Sequence, residues 1–185
     1  MPCFFRLAGR SPAEAVNAFL EPLSRALSCF TRAVLDVSGG YHVAERPHAL
    51  TLAGGEPVQL QAQIPLWLSI FQNYRIVEWE GARGPWKVQT VGYFYALELD
   101  RIELISFQWH PVGQSWYQRP HLHLGPAAEL GFKDLQHSHL PTGGRVAVED
   151  ILRLAVELGA QPRRSDWDEI LETTQGAFEE WRPRS

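Results

Sequence analysis

The stretch from Tyr74 to His110 constrains this chain more than any other part of it. Tyr74 to Glu80, Lys87 to Leu99 and Arg101 to His110 read as strands, joined by Gly81-Ala82-Arg83-Gly84-Pro85 and by a tight Asp100-Arg101 turn. Parallel neighbours need long crossovers, so connections this short imply an antiparallel meander. Upstream the same period of two recurs. Ala33, Leu35 and Val37 alternate with Val34, Asp36 and Ser38, and Val58, Leu60, Ala62 and Ile64 alternate with three glutamines. The second of these is the pattern of a strand with one wet face. Gly39-Gly40 and Gly54-Gly55 punctuate these segments as turns.

Helices are expected at both ends of the chain. Ser11-Pro12-Ala13-Glu14 combines a capping serine, a proline at the first helical position and a glutamate placed to close a capping box. After it, Ala15, Val16, Phe19, Leu20, Leu23 and Leu27 share one helical face. Val148 to Leu158 repeats that pattern and stops at Gly159, and Ser165-Asp166-Trp167-Asp168 starts a last helix. For 185 residues without repeats or a long linker, one α+β domain over 1–185 is the economical reading. It has an N-terminal helix over about 12–28 and a curved antiparallel sheet of about six strands over about 31–125. Helices over about 148–158 and 166–180 complete it.

No apolar run approaches the ~18 residues of a membrane span, and Ile64 to Phe71 is broken by Pro65 and Ser69. The first ten residues lack the apolar core and cleavage site of a signal peptide, so a cytoplasmic location is expected. Cys3 and Cys29 have no metal-binding or CxxC spacing and read as reduced and buried. The net charge is −4, with +1 over residues 1–97 and −5 over 98–185, and the pI is near 6.0. A general nucleic-acid binder shows a basic stripe and a high pI, so bulk electrostatics do not favour free nucleic acid, although Arg163-Arg164 is a local basic spot.

Chemistry concentrates in the histidines. Five of the seven lie between residues 110 and 139: His110, His121, His123, His137 and His139. Strand parity gives this geometric content. Ser106, Gln108 and His110 share one face of their strand, and His121 and His123 share one face of the short strand His121 to Leu124. With the apolar faces together, His110 is expected opposite His121 and Gln108 opposite His123, and His137 or His139 can join only if the intervening loop folds back. Such a group has three readings. Histidines titrate near neutrality and can share acid and base roles without a metal. Three neutral imidazoles can instead hold a zinc-like cation with a water in the fourth position. Or they are polar residues on a wet sheet face, bonded locally.

Other residues are weaker candidates. Arg119 can steady an anion beside the cluster. Tyr93 and Tyr95 share a face with Val91 and Leu97 and read as core. Pro141-Thr142-Gly143-Gly144-Arg145 reads as a plain loop because it lacks a phosphate-loop ending. Trp79, Trp86, Trp109 and Trp116 are candidates for an aromatic platform.

The paired tyrosines Tyr93 and Tyr95, the strand ending in Trp109-His110 and the segment Pro120-His121-Leu122-His123 before a helix resemble the TumE-like toxins of bacterial toxin–antitoxin pairs, over about residues 88–158. The chain is also similar to uncharacterised bacterial proteins with PHLHLG and HLPTG elements. The first resemblance implies a small α+β toxin paired with a helix-turn-helix antitoxin encoded nearby. The reading carried forward is a toxin-like protein acting on RNA or another phosphoester by acid–base chemistry, with no metal and no cofactor. His121 and His123 form its catalytic pair, His110 assists, and Arg119 and His139 bind substrate. A non-catalytic binding module and a metal-dependent hydrolase stand beside it.

Overall fold

The computed structural model describes residues 8–40, 42–80, 84–112, 116–129 and 138–179; Cys3 and His137 lie outside them. Helix α1 spans Pro12–Ser28. Ser11 caps it, its Oγ accepting the Glu14 N–H at 3.2 Å. The Glu14 carboxylate accepts the N–H of Arg10 at 2.8 Å, one residue outside a capping box. Helix α2 spans Val148–Glu157, where Asp150 Oδ2 accepts the Ala147 N–H at 2.7 Å, and helix α3 spans Trp167–Glu179. Among the described residues, no helix is long and apolar enough to cross a membrane.

Among the described residues all the strand pairs are antiparallel and form one sheet of nine short or long strands. In chain order these are β1 (Ala8–Gly9), β2 (Leu35–Val37), β3 (His48–Leu52), β4 (Val58–Gln59), β5 (Leu66–Glu78), β6 (Trp86–Leu99), β7 (Ile102–Trp109), β8 (His121–Leu124) and β9 (Leu140–Pro141). Across the sheet the order is β2-β3-β5-β6-β7-β8-β9, with β1 on β6 and β4 on β5. The α+β class and the meander of β5, β6 and β7 follow the sequence pattern. Asp100 and Arg101 both take positive φ, 51° and 68°, as a two-residue hairpin turn requires.

Three strand expectations are corrected. The sheet has more strands than six. The Val58–Ile64 alternation yields only β4, because the chain reverses at Pro65 and the Leu60 N–H donates to Leu66 O at 2.9 Å. Val91 does not continue the face of Tyr93: a register shift between Asn73 and Tyr74 leaves Val91 without a β5 partner and gives that face to Val88 and Thr90.

One sheet face is covered by helices. It carries Leu68, Ile70, Tyr74, Ile76, Tyr93, Tyr95 and Leu97, all at most 3% exposed. Phe19 of α1 packs on Tyr74 at 5.7 Å and on Phe178 of α3 at 5.9 Å. Tyr93 and Tyr95 stack at 4.7 Å, so the core reading of both holds. Gln72 is buried there as well, accepting from the Tyr95 hydroxyl at 2.9 Å and donating to Thr90 Oγ1 at 2.6 Å, which satisfies a group that is otherwise costly to bury. Gly125 fixes the end of β8. Its N–H donates to Leu104 O at 2.9 Å, and a Cβ there would stand 2.1 Å from Glu103 O.

Gly125→Ala is therefore expected to destabilise the fold by about 1–3 kcal/mol, read by denaturant unfolding, because overpacking against backbone must displace one strand. Cys29 is wholly buried. Burial pushes its thiol pKa up, partly offset by the Arg164 guanidinium, so little thiolate forms near neutral pH. A Cys3→Ser protein should accordingly release no thiol to a disulfide reagent until it is unfolded, and then one.

Candidate metal centre

Strand register builds the site on the sheet face away from the helices. Gln108 stands opposite His121 and Ser106 opposite His123 across β7–β8. His110 falls one step beyond Gln108, so it does not face His121, and Gln108 does not face His123; the register lies two residues from the one parity alone suggested. The missing partner comes from the other side. In β8–β9, His121 pairs with Pro141 and Leu122 with Leu140. One further step of that register sets His139 beside His123, on the same face. The ring centroids of His123 and His139 lie 4.7 Å apart, those of His121 and His139 4.8 Å, and those of His121 and His123 4.9 Å.

These three rings make a compact nitrogen cluster. One nitrogen from each lies within 4.8 Å of one from each of the others. Around zinc, nitrogens about 2.0–2.1 Å from the ion stand about 3.4 Å apart, so modest side-chain rotations close the set. His121 is 2% exposed, and its Nδ1 lies 2.7 Å from Arg119 O. A carbonyl only accepts, so Nδ1 carries the proton and Nε2 keeps its lone pair. This is how metal-ligating histidines are oriented by their surroundings. Burial, with the neighbouring His121, holds the His139 pKa below the usual histidine range, which keeps that ring neutral around neutral pH.

Aromatic rings wall the cluster. Tyr117 sits 5.1 Å from both His121 and His139, and Trp116 lies 5.2 Å from His139 while 82% exposed. His123 and His139 are half-buried, so the cluster is reached from solvent. His110 belongs to a neighbouring chain of hydrogen bonds along β7. Its Nε2 donates to Gln108 Oε1 (3.2 Å), Gln108 Nε2 donates to Ser106 Oγ (3.0 Å), and Ser106 Oγ donates to Glu103 Oε1 (3.0 Å). Burial, then His121, lowers the His110 pKa. Arg119 is exposed, and its backbone carbonyl is the part that orients His121.

The other sequence candidates lie elsewhere. Arg164 is held by Asp166 through two 2.8 Å hydrogen bonds. Trp109 is on the helix-covered face, and Lys87 lies over Trp79 at 3.7 Å, so the tryptophans do not gather into one platform with Trp116. The 142–147 segment is a loop in which Thr142 Oγ1 donates to Gly144 O. His139 could have been placed by sequence only through the parity of His139 and Pro141 flanking Leu140, had a strand been assigned there. The chain matches no family model, no curated protein and no solved structure.

In the metal-free protein, long-range nitrogen–proton NMR is expected to show His121 as the Nδ1–H tautomer. Arg119→Ala should leave that tautomer unchanged, because the acceptor is main-chain.

Proposed function

We propose that His121, His123 and His139 hold a zinc-like divalent cation and that the protein is a metal-dependent hydrolase of phosphoesters. The observation that carries this reading is the convergence of three imidazole nitrogens within 4.8 Å, one of them buried with its tautomer fixed by a carbonyl. Three histidines and an approach from solvent are the donor set of a catalytic rather than a structural zinc site. When bound there, such an ion activates water for attack on an ester. The chain's own groups orient and enclose: Arg119 O fixes His121, and Tyr117 shields His121 and His139 from solvent on one side. A phosphoester substrate is supported by the exposed Arg119, two residues before His121, as a cation for the anionic group.

The metal-free acid–base reading uses the same His121 and His123. A toxin-like role with a nearby antitoxin-like partner rests on the Tyr93 to His123 resemblance and is the biological setting in which RNA is the substrate. One preparation tests both. The expected result is one equivalent of zinc by elemental analysis and titration calorimetry. Alanine at any of the three histidines should weaken binding by about 100-fold or more, since loss of an outer-shell partner alone costs 10–100-fold. His110→Ala should bind as the parent does. Hydrolysis of bis(p-nitrophenyl) phosphate, and of RNA, should vanish on chelation and return with zinc. Absence of stoichiometric binding overturns the metal reading, and RNA cleavage that survives chelation but is lost in His121→Ala/His123→Ala assigns the chemistry to the imidazoles alone.

A further inference from the structure

Trp116 is 82% exposed, where Trp79 is 36% and Trp109 9% exposed. An indole is a large apolar ring that folding ordinarily covers over most of its area, so packing into the core does not account for one left in water. Its position is nonetheless defined. It meets Tyr117 at 5.5 Å with an interplanar angle of 78°, and His139 at 5.2 Å with one of 67°. Contacts this near the perpendicular hold a ring by edge against face, and they leave most of the indole open to a flat ligand. Tyr117 is in turn seated against His121 and His139, both at 5.1 Å. The indole therefore stands one imidazole away from the point on which the nitrogens of His121, His123 and His139 converge.

Charge narrows the ligand. Residues 98–185 carry a net −5 within a total of −4. A protein that tracks a nucleic-acid strand does so with a positive groove along the backbone, a requirement that such a charge does not meet. A single nucleotide needs no groove. One cationic point for its phosphate and one ring for its base suffice, and the sugar that joins them spans a gap of one ring. Every base has a π-face, so stacking of this kind accepts any of them.

We propose that Trp116 is the base-stacking platform of the histidine site, and that the substrate is a nucleoside phosphoester held one nucleotide at a time. The substrate assignment rests on the hydrolase reading of the same site; the stacking does not. In the reaction a water oxygen forms a bond to phosphorus and the bond from phosphorus to the leaving oxygen breaks. That oxygen keeps the electron pair and takes up the proton that water releases.

Calorimetric titration of the full chain, with and without zinc, tests the stacking. The two probes are AMP and ribose 5-phosphate, which shares the sugar and phosphate but has no base. AMP is expected to bind at least about tenfold more tightly, the worth of one stacked base. Trp116→Ala, with circular dichroism unchanged, should bring that ratio close to one, and Trp116→Phe should keep part of it. In turnover, thymidine 5′-p-nitrophenyl phosphate should exceed methyl p-nitrophenyl phosphate in kcat/KM. Trp116→Ala should shrink that ratio by about the same factor, through KM. Equal binding of AMP and ribose 5-phosphate by the parent overturns the proposal, as does a Trp116→Ala protein that keeps the preference for AMP. So does AMP that fails to bind saturably at millimolar concentration. A chain that takes up no zinc yet shows a Trp116-dependent preference for AMP overturns the hydrolase reading, and the substrate with it, and upholds the stacking site. Zinc bound at one equivalent, with AMP and ribose 5-phosphate held alike, does the reverse.

Discussion

From Leu66 opposite Leu99 to Glu78 opposite Trp86, the β5–β6 ladder sets the register that the rest of the sheet inherits. On one side β3 and β4 pair with β5; on the other β1 and β7 pair with β6, and β8 and β9 follow from β7. The ladder carries one irregularity, at Val91. A bulge of this kind turns successive side chains by one position. Here it brings Thr90 onto the helix-covered face, within reach of Gln72, and so completes a buried polar chain that would otherwise lack its last acceptor. A single extra residue thereby decides which polar groups lie beneath the helices.

The two faces of the sheet have separate physical characters. The covered face is apolar with a few satisfied hydroxyl and amide groups, and helices lie along it. The other face carries Ser106, Gln108, His121 and His123, with Ser106 and Gln108 bonded along β7 and His121 bonded to the carbonyl of Arg119. Antiparallel pairing keeps directly opposed side chains on one side, so β8 and the residue leading into β9 deliver three imidazoles to one spot without any helix contributing. The carbonyl of Arg119 then fixes the orientation of the most buried ring. Backbone geometry thus fixes the tautomer that side-chain chemistry needs.

Much of this was legible in the sequence, and the failures have causes. Helix α1 was readable because its apolar positions recur at helical spacing behind a cap, and β6 and β7 because a two-residue turn separates them. The parity of His121 and His123 held because alternate residues of a strand share a face. The first half of β5 was hidden: Leu66, Leu68 and Ile70 face the helices while Trp67 and Phe71 occupy the other face, so the run looks apolar but for Ser69 and shows no period. The alternation at Val58–Ile64 is cleaner than that of β5 yet forms only β4, because Pro65 and the Leu60–Leu66 hydrogen bond reverse the chain. His139 was named beside the cluster but could not be placed in it, because β9 is two residues long and its place is set by pairing with β8 rather than by any local preference. The positions of His110 and Gln108 were misjudged by two residues, an error parity cannot detect, since a shift of two leaves every face unchanged.

The position of the histidine cluster has a thermodynamic consequence. β9 is a two-residue strand at the edge of the sheet, where fraying is cheapest. A ligand held jointly by β8 and His139 exists only when that edge is paired, so its binding energy is also pairing energy. At a hundred times its dissociation constant it would add about 2.7 kcal/mol to whatever keeps the edge closed. The outermost and least protected part of the sheet would then become slow to exchange its amide protons, while the core beneath the helices, which does not touch the ligand, would be left as it was.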